Sequence, residues 1–146
     1  MPKSKKSFRE RTLSLLYEAE IKGLKPSQII KEIEVDEDHF VTSRLLAVES
    51  HREEIDMMID SHSLEWELNR MPLIDLCLLR IAVSELLEDH HPPKAVIISE
   101  AVELAKNFST DSSSKFVNGV LSAVSSDIEK ETDDSDDGRT TPQQVD

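Results

Sequence analysis

The chain is poor in glycine, aromatic residues and cysteine. Three of its 146 residues are glycine and 4% are aromatic. Because β-turns use glycine and strands favour aromatic and β-branched side chains, this composition argues against an all-β fold. The single cysteine, Cys77, lies between Leu76 and Leu78, where a small buried hydrophobe is expected rather than a nucleophile. Composition therefore favours a helical protein without disulfides or thiol chemistry.

Long apolar runs are also missing. No stretch approaches the roughly 20 apolar residues that a membrane-spanning helix needs, and the first lysines lead into an amphipathic pattern instead of the core of a signal peptide. A single cysteine fits a reducing compartment, so we expect a cytoplasmic protein. A chain of 146 residues is long enough for one domain that buries its own core.

Positive charge is scarce, since the net charge is −13, and a uniformly acidic surface would repel phosphate. The charge is nevertheless uneven. Residues 1–11 contain five basic residues and one acid, whereas residues 127–146 contain eight acids and two basic residues. We expect a flexible basic arm (residues 1–6), a helical domain (residues 7–128) and an acidic tail (residues 129–146), which has little apolar surface to bury and should be disordered.

Apolar residues recur at helical spacing through the domain. Ser7 and Glu10 have the spacing of a capping box for a first helix, and residues 38–61 predict one long helix. Residues 73–87 are apolar on nearly all sides, which predicts the buried centre of a bundle. The prediction is an all-α single domain of six helices, or seven if the region of Trp66 is helical, in two subbundles of residues 7–61 and 64–128.

Motifs for catalysis, metals and cofactors are missing. Three glycines cannot form a phosphate-binding loop, and no nucleophile lies beside a pair of carboxylates. His90 and His91 lack a third ligand at a recognised spacing. The sequence therefore predicts a protein that is not an enzyme and holds no metal or cofactor.

The basic residues near the start are the best candidates for binding, because lysine and arginine neutralise phosphates and release counterions. If all five met single-stranded RNA, the log–log salt slope would be about −3.5, and affinity would fall about a hundredfold between roughly 50 and 200 mM salt. Other contacts or a second protein must then contribute; the alternative is that these residues only solubilise the terminus. They are Lys3, Lys5, Lys6, Arg9 and Arg11.

Several motifs follow one another in the order of a known family and cover most of residues 8–124. They are Arg9-Glu10, Leu16-Tyr17, Trp66 with Leu68 and Arg70, Asp75, Leu79-Arg80-Ile81-Ala82, Glu85-Leu86-Leu87, Pro92-Pro93, residues 100–106 (EAVELAK) and residues 115–121 (KFVNGVL). This series resembles the NusB family of bacterial transcription antitermination factors. The resemblance implies an all-helical fold, no catalysis, and recognition of single-stranded boxA RNA in nascent ribosomal transcripts together with the ribosomal protein NusE. The complex would join RNA polymerase and other Nus factors; family members dimerise variably, so a homodimer is left open.

The resemblance also implies roles for single residues. Lys5, Lys6 and Arg9 correspond to the family's arginine-rich start, while Ser7 replaces a residue that is often basic and Arg11 adds a charge. Phe116 and Asn118 are expected to contact RNA bases, although Phe116 could equally pack in the core. Lys115 is expected to contact a phosphate. Arg80, a further RNA-binding candidate, is expected at the bundle surface beside Asp75, because burying an unpaired guanidinium is costly. Tyr17 and Asp75 are candidates for partner contact, although packing competes for Tyr17.

Two other functions are left open. The chain could be a protein-binding helical adaptor that uses its acidic surface against a basic ribosomal protein. It could also resemble the NusB-like domain that precedes an RNA cytosine methyltransferase in some longer proteins. A length of 146 residues argues against the second alternative, because none are left for a cofactor-binding catalytic domain.

Overall fold

The computed structural model describes residues 5–33, 38–63 and 68–145, with the backbone alone for residues 5, 6, 69 and 132–145. This part of the chain contains no strand, which confirms the all-α class. No helix within these ranges is both long enough and apolar enough to cross a membrane. In chain order the helices are α1 (Lys5–Lys22), α2 (Pro26–Glu32), α3 (His39–Ser50), α4 (Arg52–Ser61), a short 3-10 helix (Leu68–Arg70), α5 (Leu73–Leu86), α6 (Lys94–Phe108) and α7 (Asp111–Val145).

Helix α5 is the centre of the fold. Every residue from 75 to 86 is buried, and α5 packs against α1, α3, α4, α6 and α7. Leu16 of α1, Leu45 of α3, Leu79 of α5 and Leu121 of α7 are fully buried and belong to one core. The prediction that residues 73–87 form the buried centre of the bundle is therefore confirmed.

The long helix predicted over residues 38–61 is wrong, because the structure has two helices there. The Asp38 carboxylate accepts a hydrogen bond from the Phe40 backbone N–H at 2.8 Å and caps the start of α3. His51 then takes φ −109° and ψ 21° between α3 and α4. The apolar pattern did not show this break because Val48 and Ile55 are both fully buried, so the stripe continues across the joint. After the joint, α4 contacts α5 and α7, which moves the border of the first subbundle from residue 61 to the end of α3.

Both ends of the predicted domain also differ from the structure. Helix α1 already includes Lys5 and Lys6, so these lysines lie in a helical turn rather than in a flexible arm. At the other end the helical backbone of α7 continues past the predicted domain end at residue 128 to Val145. A nucleated helix extends at little cost, and Glu129, Lys130 and Glu131 are good helix formers, which accounts for the helical turn just beyond Ile128. The division into arm, domain and tail otherwise stays a prediction.

Cys77 is a fully buried residue of α5. Burial raises the pKa of its thiol to about 12, because the apolar surroundings disfavour the thiolate. We expect an alkylating reagent at about pH 8 to modify the native protein at least about a thousandfold more slowly than the unfolded chain, since only the thiolate reacts. Mass spectrometry with and without denaturant measures both rates, and rapid labelling of the native protein would contradict the buried position.

Candidate nucleic-acid interface

Helices α6 and α7 enclose an open groove with a volume of about 890 Å³. Its apolar lining includes Ile98 and Val102 of α6. Steps of four residues place Lys94, Ile98, Val102 and Lys106 along one stripe of α6, so a lysine stands near each end of the groove. The other polar lining residues are Ser99, Glu103, Asn107, Asn118 and Ser122.

Helix α7 turns one polar face towards solvent near this groove. Lys115 and Asn118 are exposed and lie three residues apart on that face, whereas Val117 and Leu121 are fully buried on the opposite side. An ammonium group and an amide on one helix face can bind a phosphate and the edge of an unpaired base, respectively. Phe116 is half-buried and packs against the core, so only part of its ring is left for stacking.

The groove has a mixed charge. At one end the Lys94 ammonium lies 2.7 Å from a carboxylate oxygen of Glu129, and both side chains are about half-exposed. Glu103 adds a second carboxylate to the lining. This balance gives the groove less positive potential than its two lysines suggest, so phosphate attraction alone does not make it a binding surface.

Arg9 lies inside the protein, although the sequence predicted an RNA contact. Its Nε donates to one carboxylate oxygen of Glu85 at 3.0 Å and its Nη2 donates to the other at 2.7 Å. The Arg9 guanidinium also stacks on the Phe40 ring at 5.5 Å, and only 4% of the residue is exposed. A side chain held in this way has no free face for a phosphate, so the structure does not support the predicted role.

Arg80 is also buried, which corrects its predicted position at the bundle surface beside Asp75. Its guanidinium donates to both carboxylate oxygens of Asp56 at 2.9 and 3.1 Å and to Glu20 at 3.2 Å. Arg52 joins the same two acids from the outer side. The cost of burying the Arg80 charge is therefore offset by two carboxylates from α1 and α4. This engagement gives no support to Arg80 as an RNA contact.

Comparison with known proteins identifies the fold. The model of the NusB family matches residues 6–126. The chain belongs to the NusB family. It is 40% identical over 125 residues to the transcription antitermination protein NusB of Thermobifida fusca (strain YX), which covers 83% of this chain and 88% of that protein.

Solved NusB structures share the helical arrangement. The T. maritima NusB structure has a TM-score of 0.76 and 30% identity, covering 86% of this chain and 93% of that one. A structure of the antitermination factors NusB and NusE in complex with dsRNA has a matching chain with a TM-score of 0.71 and 25% identity, covering 84% of this chain and 96% of that one. The resemblance drawn from the sequence motifs is therefore confirmed.

The two candidates for partner contact lie in different environments. Tyr17 of this NusB-family chain is 38% exposed, and Ile21, one helical turn further along α1, is 63% exposed. The two side chains therefore form an exposed apolar face of α1. Ile21 was not among the predicted residues, although its spacing of four from Tyr17 was a usable signal. Asp75, by contrast, is buried, so it does not present its carboxylate at a surface.

The structure describes the remaining predicted RNA contacts in less detail. Lys3 lies outside the described residues, and for Lys5 and Lys6 the structure gives the helical backbone of the first turn of α1. Arg11 is exposed on the same helix. The structure therefore brings Asn118 together with Lys94 and Lys106, which the sequence analysis had not named, and separates Arg9 and Arg80 from any exposed site.

Proposed function

We propose that this NusB-family chain is a transcription antitermination factor that binds boxA-type single-stranded RNA in nascent ribosomal transcripts together with NusE. The resulting complex joins RNA polymerase and the other Nus factors, and we expect the protein to act in the cytoplasm. The observation that carries the proposal is the family match across residues 6–126. It is supported by relatives named as antitermination proteins and by the solved complex of NusB, NusE and dsRNA.

The exposed residues of the chain fit this task. Lys115 and Asn118 offer a phosphate contact and an amide edge on α7, and the first turn of α1 adds two lysines. The net charge of −13 keeps non-specific attraction to RNA low, so specificity comes from a few placed groups and from the partner. The Tyr17 and Ile21 face of α1 is the part of the surface that we assign to NusE.

A titration of labelled RNA tests the proposal. A boxA-type oligonucleotide and a scrambled oligonucleotide of the same composition are each titrated with the full chain, with and without NusE, at salt concentrations from about 50 to about 200 mM. We expect NusE to strengthen binding and boxA to be preferred. If the chain and NusE bind each other but show no preference for boxA, the chain is a protein-binding adaptor and the proposed function is wrong.

Replacing Lys115 with alanine is expected to weaken boxA binding about three- to tenfold and to reduce the salt slope by about 0.7, because one phosphate contact to a single strand is lost. Lys31 provides a matched control, since it is an exposed lysine on α2, which does not belong to the candidate interface. Lys31→Ala removes the same charge and should change affinity by less than about twofold. Equal effects of the two substitutions would show that net charge, rather than a specific contact, governs binding.

A further inference from the structure

Arg9 and Glu85 belong to a buried cluster where the beginning of α1, the beginning of α3 and the end of α5 meet. The Phe40 ring lies between two guanidinium groups, with Arg9 at 5.5 Å and Arg44 at 5.8 Å from its centre. Arg44 in turn donates to the Glu88 carboxylate at 2.9 Å, and the Phe8 ring lies 6.0 Å from that of Phe40. Only 2% of Glu85 is exposed. The cluster therefore holds the start of α1 against both neighbouring helices.

The Arg9–Glu85 pair fixes the orientation of the Arg9 side chain as well as its position. Two parallel hydrogen bonds, of 3.0 and 2.7 Å, join the guanidinium to both carboxylate oxygens, and this planar arrangement restrains rotation of the side chain. Lys5 and Lys6 lie four and three residues before Arg9, respectively, in the same helix. They are therefore within about one helical turn, or about 6 Å along the axis, of the point where α1 is fastened.

We propose that Glu85 is a positioning residue for RNA binding, because its buried pair with Arg9 holds the helical turn that carries Lys5 and Lys6 in the orientation that meets the RNA backbone. This inference rests on the proposed function. In this proposal the buried Glu85 does not touch RNA but orients the helical turn of Lys5 and Lys6, which do. Arg9 then contributes to binding through the fold, without touching a phosphate.

This role predicts an effect opposite to simple electrostatics. Removing a negative charge from an RNA-binding protein ordinarily leaves affinity unchanged or raises it, because repulsion of phosphate decreases. Glu85→Gln replaces one acceptor oxygen by an NH2 group that cannot accept from Arg9, which ends the paired arrangement, and it leaves the Arg9 charge unneutralised. We expect boxA affinity to fall about tenfold and the salt slope to shrink by about 1.4, the contribution of two lysine–phosphate contacts, although no basic residue has been removed.

Glu53→Gln is the matched control, since Glu53 is an exposed glutamate of α4 and its replacement removes the same charge. It should leave affinity and slope unchanged or bind slightly tighter. Circular dichroism and thermal unfolding of each variant establish that it is folded at the assay temperature. A folded Glu85→Gln protein with the affinity and slope of the unsubstituted chain would overturn the proposal.

A double substitution separates positioning from direct contact. Arg9→Met with Glu85→Leu replaces the ion pair by apolar side chains of similar volume that can still pack on Phe40 and fasten α1. If Arg9 acts by positioning, this variant should bind boxA RNA within about threefold of the unsubstituted chain. A folded double variant that binds about tenfold more weakly would show that the Arg9 charge itself meets RNA. If Glu85→Gln alone does not fold, the RNA affinity of this double variant still tests the positioning role.

The proposed function fails separately from this inference. Absence of boxA preference in the unsubstituted chain with NusE refutes the function, whatever the variants do. If the unsubstituted chain with NusE prefers boxA, and Glu85→Gln leaves its affinity and salt slope unchanged, only the positioning role is refuted.

Discussion

Replacing Arg80 with alanine is expected to lower the free energy of unfolding by about 3 kcal/mol. The substitution leaves the carboxylates of Asp56 and Glu20 close together without the guanidinium that neutralises them from the inner side. Removing one partner of a buried ion pair costs about 3 to 5 kcal/mol, and the value here is at the lower end because about a fifth of each acid's side chain is exposed. Chemical denaturation followed by circular dichroism measures the change.

Arg52 gives a control within the same cluster. It contacts Glu20 at 2.9 Å and Asp56 at 3.3 Å, but 35% of its side chain is exposed. Solvent already screens its charge, so Arg52→Ala should cost less than about 1 kcal/mol. Equal costs for the two arginines would mean that burial does not set the strength of this network. At temperatures where Arg80→Ala is folded, its RNA affinity should equal that of the unsubstituted chain.

Glu85→Ala is expected to cost about 3 to 5 kcal/mol of folding free energy, because the buried Arg9 guanidinium loses its carboxylate. The double substitution Arg9→Met with Glu85→Leu should recover most of this loss and lie within about 1 kcal/mol of the unsubstituted chain, since apolar residues of similar volume often replace a buried ion pair without penalty. Thermal unfolding of the unsubstituted chain, Arg9→Met, Glu85→Leu and their combination gives the coupling energy of the pair. A double variant no more stable than Glu85→Ala would show that packing on Phe40 cannot hold α1.

The positions of Arg9 and Arg80 could not be predicted from the sequence. Near the start of the chain Arg9 stands among lysines and looks like part of a basic surface. Its partner Glu85 is 76 residues away, and the partners of Arg80 are 24 and 60 residues away. The residues near an arginine in the sequence indicate that burying its charge would be costly. They do not show whether an acid far away in the sequence offsets that cost. Only the packing of α1 and α4 on α5 brings the acids into place.

The candidate interface was predicted in part. The KFVNGVL motif directed attention to Lys115 and Asn118, which α7 leaves exposed, because a helical period separates them from buried Val117 and Leu121. The lysines of α6 were missed. Their stripe was visible in the sequence, but a groove exists only where a second helix packs alongside, and the pairing of Lys94 with Glu129 joins residues 35 positions apart.

By itself the sequence determined the all-helical class, the buried centre at α5 and the family, because these depend on residue type and on short-range periodicity. The tertiary structure alone decided which charged residues face solvent. It placed Arg9 and Arg80 among carboxylates inside the bundle and left Arg11 exposed. The physical reason is that the free energy of a charge depends on its distance from other charges and from water, and folding sets both distances.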